Sequence, residues 1–324
     1  VEIPGYQLDR RCGGGLQAVL NAAMMVQSGA ADVVLAGGVE SMSNVEYYST
    51  DMRWGRRAGS AMLHDRLQRG RERSQPEWRF GAISGMIETA ENLAKEYAIP
   101  REESDAYAVR SHQRAAAAWK TGKFTQEVVP VGVPQKKGEP ILITRDEHPR
   151  ADSTMEALGK LRAAFREGGS VTAGNSSGIN DGASAVLLVE ADRARELGLK
   201  PLARVVSTAV AGIDPAIMGA GPIPAVRKAL ARAGIAAGDL DLIELNEAFA
   251  SQSVVCIDEL DLDPDRVNVN GGAIALGHPL GMSGGRLVTM LVHELAARRG
   301  RYGLATMCIG VGQGIATIVE RIEE

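Results

Sequence analysis

Residues 28–38 read Ser28-Gly29-Ala30-Ala31-Asp32-Val33-Val34-Leu35-Ala36-Gly37-Gly38. The run Val33 to Ala36 is short and apolar, with a turn before it and glycines after it. A strand buried in an α/β sheet has this pattern, because both of its faces must be apolar. Just upstream, Leu16, Val19, Leu20 and Ala23 recur at helical spacing. They predict a helix over Leu16–Gln27 that ends at Gly29.

Working outward, the pattern breaks and then returns. From Glu46 to about Arg79 the chain is rich in Arg, Gly and Ser without a steady period, so an extended excursion is expected there. Helices are predicted over Ala90–Tyr97 and Glu102–Thr121, the second starting after Pro100 with acidic residues in its first turn. A Pro-, Gly- and Lys-rich stretch at 130–140 leads into a short strand, Ile141–Thr144. Core pattern resumes with the strand Ala183–Val189, a helix over 222–234, the strand Leu242–Leu245, a helix from about Ala248 and another over 281–298. Leu304–Cys308 and Ile315–Val319 read as strands joined by the glycine-rich turn 310–314. No strong internal repeat is visible.

The 324 residues suffice for two domains or one large duplicated unit. A net charge of -4 gives no basic field for nucleic acid or an anionic membrane. No apolar run is long enough to span a bilayer. With 38 glycines and only 4% aromatics, the core is expected to pack small side chains closely. The three cysteines, Cys12, Cys256 and Cys308, fit neither a disulfide framework nor a zinc site. A reducing compartment, the cytoplasm, is expected.

Four segments carry chemistry. Cys12 lies in Asp9-Arg10-Arg11-Cys12-Gly13-Gly14-Gly15, at the mouth of the first helix. Unpaired N–H groups and partial positive charge there favour a thiolate. The glycines behind it are expected to admit a bulky thioester. Cys308, in Met307-Cys308-Ile309-Gly310, sits where a strand enters a turn. His278 stands in Gly277-His278-Pro279 before a helix. Asn246, in Asn246-Glu247-Ala248-Phe249-Ala250, is read as a helix N-cap or as a holder of a water or an oxyanion.

Taken in order, these segments (CGGG, NEAFA, GHP and CIG) resemble the signature segments of the thiolase family. Ala36-Gly37-Gly38-Val39-Glu40-Ser41-Met42-Ser43 and Val171–Gly182 are similar to that family too. The resemblance runs through the whole chain. It implies a duplicated αβαβα layered α/β fold, with residues 1–45 and 180–198 forming the first half, 46–179 an inserted CoA-binding loop domain and 199–324 the second half. It also implies an acyltransferase of acyl-CoA metabolism, with coenzyme A as a substrate, no further cofactor and no metal, assembled as a homodimer or homotetramer.

By that resemblance Cys12 takes the acyl group and His278 takes the cysteine's proton. Cys308 gives or removes the proton at the carbon next to the thioester. His278 with a water on Asn246 would hold the enolate oxygen, and the N–H groups of Cys12 and Gly310 the acyl oxygen. Gly310 is expected to permit that turn. Ser177 would bond the pantetheine. Ala173, Ile179, Phe165, Met86, Met218, Ala248 and Phe249 would line its apolar wall, and Arg150 would lie near the nucleotide end.

Some positions depart from the family. Gly14 stands where Ser is usual, Val311 where a third Gly is usual, and Gly85 where a His is common. The usual N-terminal βαβα segment has no counterpart, so a truncated first half with an open sheet edge and exposed apolar faces is expected. Two alternatives stay open. One is a decarboxylating condensing enzyme of the ketoacyl synthase type, although Cys308 and Asn246 stand where that type places histidines. The other is a thiolase-like fragment that binds CoA or lipid without turnover.

Overall fold

The computed structural model describes residues 2–72 and 75–323. A 3-10 turn at Arg11–Gly13 leads into α1 (Gly14–Gln27), followed by β1 (Val33–Ser41). The excursion that follows carries only short elements: β2 (Tyr47–Tyr48), β3 (His64–Asp65), α2 (Arg66–Glu72) and α3 (Glu77–Phe80). Next come α4 (Met86–Glu96), α5 (Arg101–Lys120), the hairpin of β4 (Val131–Val133) and β5 (Ile141–Ile143), and α6 (Met155–Gly159). The chain returns through β6 (Asp181–Val189) and α7 (Ala191–Glu196). The last part runs β7 (Ala203–Gly212), α8 (Pro222–Ala233), β8 (Leu240–Leu245), α9 (Ala250–Glu259), α10 (Ala273–Leu276), α11 (Leu280–Arg298), β9 (Tyr302–Ile309) and β10 (Gln313–Arg321).

β1 and β6 pair antiparallel over their whole length, from Val33–Val189 to Ser41–Asp181. The second sheet has the order β7-β10-β9-β8, with β8 parallel to β9 and the other pairs antiparallel. α1 and α11 fill the space between the two sheets. Their apolar stripes meet in one cluster, Leu16, Leu20, Leu287, Leu291, Met307 and Ile315 among them. A side chain such as Leu16 or Leu291, fully removed from water, contributes about 1.5–3 kcal/mol. α8 covers β7 and β10, and α9 packs beside it against α4 and α5. The inserted segment is thereby tied to the second half. On the first sheet, Val34, Ala36, Val186 and Leu188 face the helices. Its other face exposes Leu35 and Val39, at 72% and 76%, together with Leu187.

Three expectations need correction. β7 is a full strand that the sequence reading passes over. Asn246 caps no helix: α9 opens at Ala250 with Phe249 in the cap position. The glycines after Cys12 admit protein rather than substrate. A Cβ on Gly13 would lie 2.5 Å from Ile309, and one on Gly15 would lie 2.6 Å from the Gly281 carbonyl oxygen. Gly38 of β1 approaches the same carbonyl group, and Gly284 lies against the Leu16 backbone. Glycines on both sides let the starts of α1 and α11 touch backbone to backbone. Among the described residues no helix is long and apolar enough to cross a membrane.

Candidate active site

The contact between α1 and α11 fixes where the chemistry sits. Cys12 lies in the turn that enters α1, and His278 lies two residues ahead of α11. Glu40 of β1 accepts the Gly281 N–H at 2.9 Å, which places a carboxylate at the positive end of α11. The His278 N–H donates to Asn180 Oδ1 at 3.1 Å, so the residue just ahead of β6 also holds the loop.

The His278 ring is held from both sides. Ser283 Oγ donates to the Pro279 carbonyl at 2.8 Å and lies 2.6 Å from His278 Nδ1. With the hydroxyl proton on Pro279, Nδ1 is the donor to Ser283. This leaves the lone pair on Nε2, where Asn246 Nδ2 sits at 3.4 Å. Asn246 is fully buried, and its backbone N–H donates to the Thr306 carbonyl of β9 at 3.0 Å. The imidazole can therefore accept a proton at Nε2, and His278 lines the same cavity as Cys12.

Cys308 is the penultimate residue of β9, packed with Met86, Ala90, Val171, Met218, Ala248 and Phe249. Burial pushes its thiol well above the usual range, and the nearby Cys12 adds to the effect. At neutral pH Cys308 is a thiol, a form suited to giving a proton to a strongly basic carbanion. Cys256 behaves differently. It is buried in the α9 core, pushed up to about 12 by desolvation, and lies 3.4 Å from the Gly219 carbonyl oxygen, away from the cavity.

Cys12, His278, Cys308 and Gly310 line a single cavity of about 1260 Å³. The expected CoA-side residues divide within it. Met218, Ala248 and Phe249 form a buried wall, while Ala173, Ile179 and Phe165 are exposed at the mouth. Met86 reaches inward, with its sulfur 3.2 Å from where a Cβ on Gly310 would stand. Ser177 lines the cavity, but its hydroxyl is already bonded to the Ala248 carbonyl at 3.1 Å. Residues 175–177 run antiparallel to 248–250, which joins the inserted segment to the wall. Arg150 does not line the cavity. It is exposed, and its backbone N–H donates to His112 Nδ1 at 3.2 Å.

The turn after Cys308 also differs from expectation. Its left-handed residues are Val311 (φ 77°) and Gly312 (φ 78°), not Gly310. Gly312 is required, because a Cβ there would lie 2.2 Å from the Ile213 carbonyl oxygen. Val311 adopts a conformation that β-branched residues rarely take. Sequence reasoning missed Ser283, whose only signal is its place one turn into the helix after His278. It also missed Arg11, which reaches across the mouth to donate to the Gly70 carbonyl of α2 at 3.1 Å.

Comparisons with known proteins find relatives over nearly the whole chain. Residues 1–192 match the model for the thiolase N-terminal domain, and residues 199–321 match the thiolase C-terminal domain. An acetyl-CoA acetyltransferase of Pseudomonas aeruginosa is 50% identical, over 99% of this chain and 80% of its own. A β-ketoadipyl-CoA thiolase of Acinetobacter baylyi is 46% identical, again over 99% and 80%. The crystal structure of human mitochondrial 3-ketoacyl-CoA thiolase superposes with a TM-score of 0.93 at 45% identity, covering 99% of this chain and 80% of that one. The N-terminal match starts at residue 1, and the expected shortening of the first half gains no support from it.

Proposed function

This chain belongs to the thiolase family and is an acyltransferase, and we propose that its reaction runs between Cys12 and Cys308. The activity is the reversible Claisen condensation of acyl-CoA to 3-ketoacyl-CoA, with thiolysis as its reverse. In the thiolysis direction, His278 Nε2 takes the Cys12 proton and the thiolate attacks the 3-keto carbon. The bond between C2 and C3 breaks, leaving the acyl group on Cys12 and an acetyl-CoA enolate. Cys308 protonates that enolate. A CoA thiol then attacks the acyl-cysteine, its proton passes to the Cys308 thiolate, and Cys12 leaves as thiolate beside the protonated His278. Condensation is the same path in reverse, with Cys308 as thiolate removing the α-proton.

The observation that carries the reading is the placement of two thiols, one buried and one at a helix mouth, on one cavity with a histidine whose Nδ1 is tied to Ser283 and whose Nε2 keeps the lone pair. The roles of the remaining groups follow from where charge develops. The enolate oxygen is held by His278, protonated at Nε2, and by a water on Asn246, and the acyl oxygen by the N–H groups of Cys12 and Gly310. CoA runs out along Met218, Phe249 and Ser177, with Arg150 beyond the cavity edge toward the nucleotide. Because both thiols must stay reduced, we also propose a reducing, cytoplasmic setting. Assembly into two or four copies is supported by the apolar faces exposed on β1 and on the β4–β5 hairpin, such as Val39 and Leu142. Sedimentation velocity tests it.

The activity is tested by thiolysis of 3-ketoacyl-CoA over a series of acyl lengths, read by loss of the ketoacyl-CoA absorbance. CoA-dependent turnover on at least one length is expected. Absence of turnover across the series, from a protein whose Cys12 alkylates normally, would contradict the proposal.

A further inference from the structure

Glu247 follows Asn246 directly, and the mechanism above leaves it without a role. It is 1% exposed. Its carboxylate accepts four hydrogen bonds, two on each oxygen. Tyr107 Oη and Asn268 Nδ2 donate to Oε1 at 3.1 and 2.9 Å, and Ser111 Oγ and the Ile274 N–H donate to Oε2 at 2.6 and 3.1 Å. The Asn268 amide and the Ile274 N–H can only donate, and the Tyr107 and Ser111 hydroxyls donate as well, so the four contacts favour a carboxylate against the upward push of burial on its pKa. Gly272 is shaped for it: a Cβ there would lie 2.3–2.6 Å from the carboxylate.

The partners come from three places. Tyr107 and Ser111 belong to α5 of the inserted segment. Asn268 also straps the end of β8, donating to the Leu245 carbonyl at 2.7 Å and accepting its N–H at 2.9 Å. Ile274 lies in α10, four residues before His278, and Ser111 Oγ also accepts the Gly272 N–H at 3.1 Å. One buried carboxylate therefore joins the backbone that carries Asn246, the loop that delivers His278 and the helix beneath both.

We infer that Glu247 is a positioning residue for the reaction, setting the register of Asn246 against His278 and so the pocket that holds the enolate oxygen. The inference rests on the roles given above to Asn246 and His278. A carboxylate kept only for folding would stabilise the chain without acting through Asn246.

The test is a double-mutant cycle on enolate formation. Deuterium uptake from D2O into the α-position of acetyl-CoA is measured per active site, with sites counted by alkylation of Cys12. Glu247→Gln is expected to slow uptake about 10²-fold, the loss typical of reacting groups displaced by about 1 Å, while the KM for acetyl-CoA changes less than about threefold. Asn246→Ala alone is expected to slow uptake strongly, and adding Glu247→Gln to it should cost less than about threefold more, since groups acting through one another are not additive. The same factor of loss in both backgrounds, or uptake by Glu247→Gln within threefold of the parent protein, would overturn the inference. If Asn246→Ala leaves uptake intact, the role given to Asn246 fails first and takes the inference with it. Should Glu247→Gln not fold, Ser111→Ala removes one of the four donors. It enters the same cycle with an expected loss of about three- to tenfold, and an additive loss or none overturns the inference.

Discussion

Replacing Gly15 by Ala tests whether the glycine contact between α1 and α11 builds the site. The added Cβ would stand 2.6 Å from the Gly281 carbonyl oxygen, 3.0 Å from the Gly285 nitrogen and 3.2 Å from the Met282 carbonyl oxygen. All three are backbone atoms of the opposing helix start, so no side chain can swing away. Reaching an ordinary separation of 3.4 Å from a contact of 2.6 Å requires the helices to part by about 0.8 Å. Ala itself favours a helix over Gly by about 0.5–1 kcal/mol, while forced overpacking costs about 1–3 kcal/mol. The net expectation is a loss of about 0–2.5 kcal/mol in stability. The effect on chemistry is larger, because Cys12 and His278 ride on the two elements that separate. A displacement near 1 Å costs about 10²-fold in rate. Thiolysis kcat and the rate of Cys12 alkylation should therefore fall together, with a small shift in Tm. Gly14→Ala is the control for stability: its Cβ meets nothing nearer than 3.6 Å, so Tm should hold or rise. Full activity and an unshifted Tm for Gly15→Ala would refute the reasoning.

Three further outcomes are expected. Val311→Gly should stabilise the protein by about 0.5–1 kcal/mol, since it relieves a β-branched residue at φ 77°; a lower Tm in thermal melts would contradict the strain. Glu127 is raised from 4.5 to about 7 by burial and then by Glu294. Between those values the unfolded chain has lost the proton that the folded chain keeps, so stability falls as pH rises through this window, by about 3 kcal/mol before solvent screening and about 1–2 kcal/mol after it. Glu127→Gln should flatten urea midpoints measured from pH 5 to pH 7, and an unchanged slope would remove Glu127 as the cause. Cys308→Ala should still take an acetyl group on Cys12 but form no acetoacetyl-CoA; condensation near the parent rate would exclude Cys308 as the acid–base group.

Much of this was legible in the sequence, for physical reasons that also mark where legibility ended. β8, β9 and β10 are buried strands rich in Val, Ile and Leu, and a buried strand must look apolar; β1 and β6 look the same, yet only one face of their sheet is covered, which corrects the expectation that β1 is buried on both sides. β7 pairs only with β10 and is built from Ala, Ser, Thr, Gly and Val, so its alternation is faint. The site was legible as four separated motifs, because helix mouths and strand ends leave local traces such as Gly277-His278-Pro279. What each glycine admits was not legible. Whether it faces substrate, as expected for Gly15, or another helix, as found, depends on an element that lies far away in the chain. Glu247 and Ser283 share this limit: their partners come from distant segments, and neither residue differs in sequence from an ordinary helix-start polar group.

The most direct measurement is the mass of the intact protein after brief incubation with acetyl-CoA, followed by peptide mapping under acidic conditions that preserve thioesters. One acetyl group per chain, confined to the peptide carrying Cys12, lost on addition of CoA and absent in Cys12→Ser, is the predicted result. A CoA-labile acetyl group on Cys308 or another residue, or turnover by Cys12→Ser at the parent rate, would contradict the assignment of Cys12 as the acyl carrier.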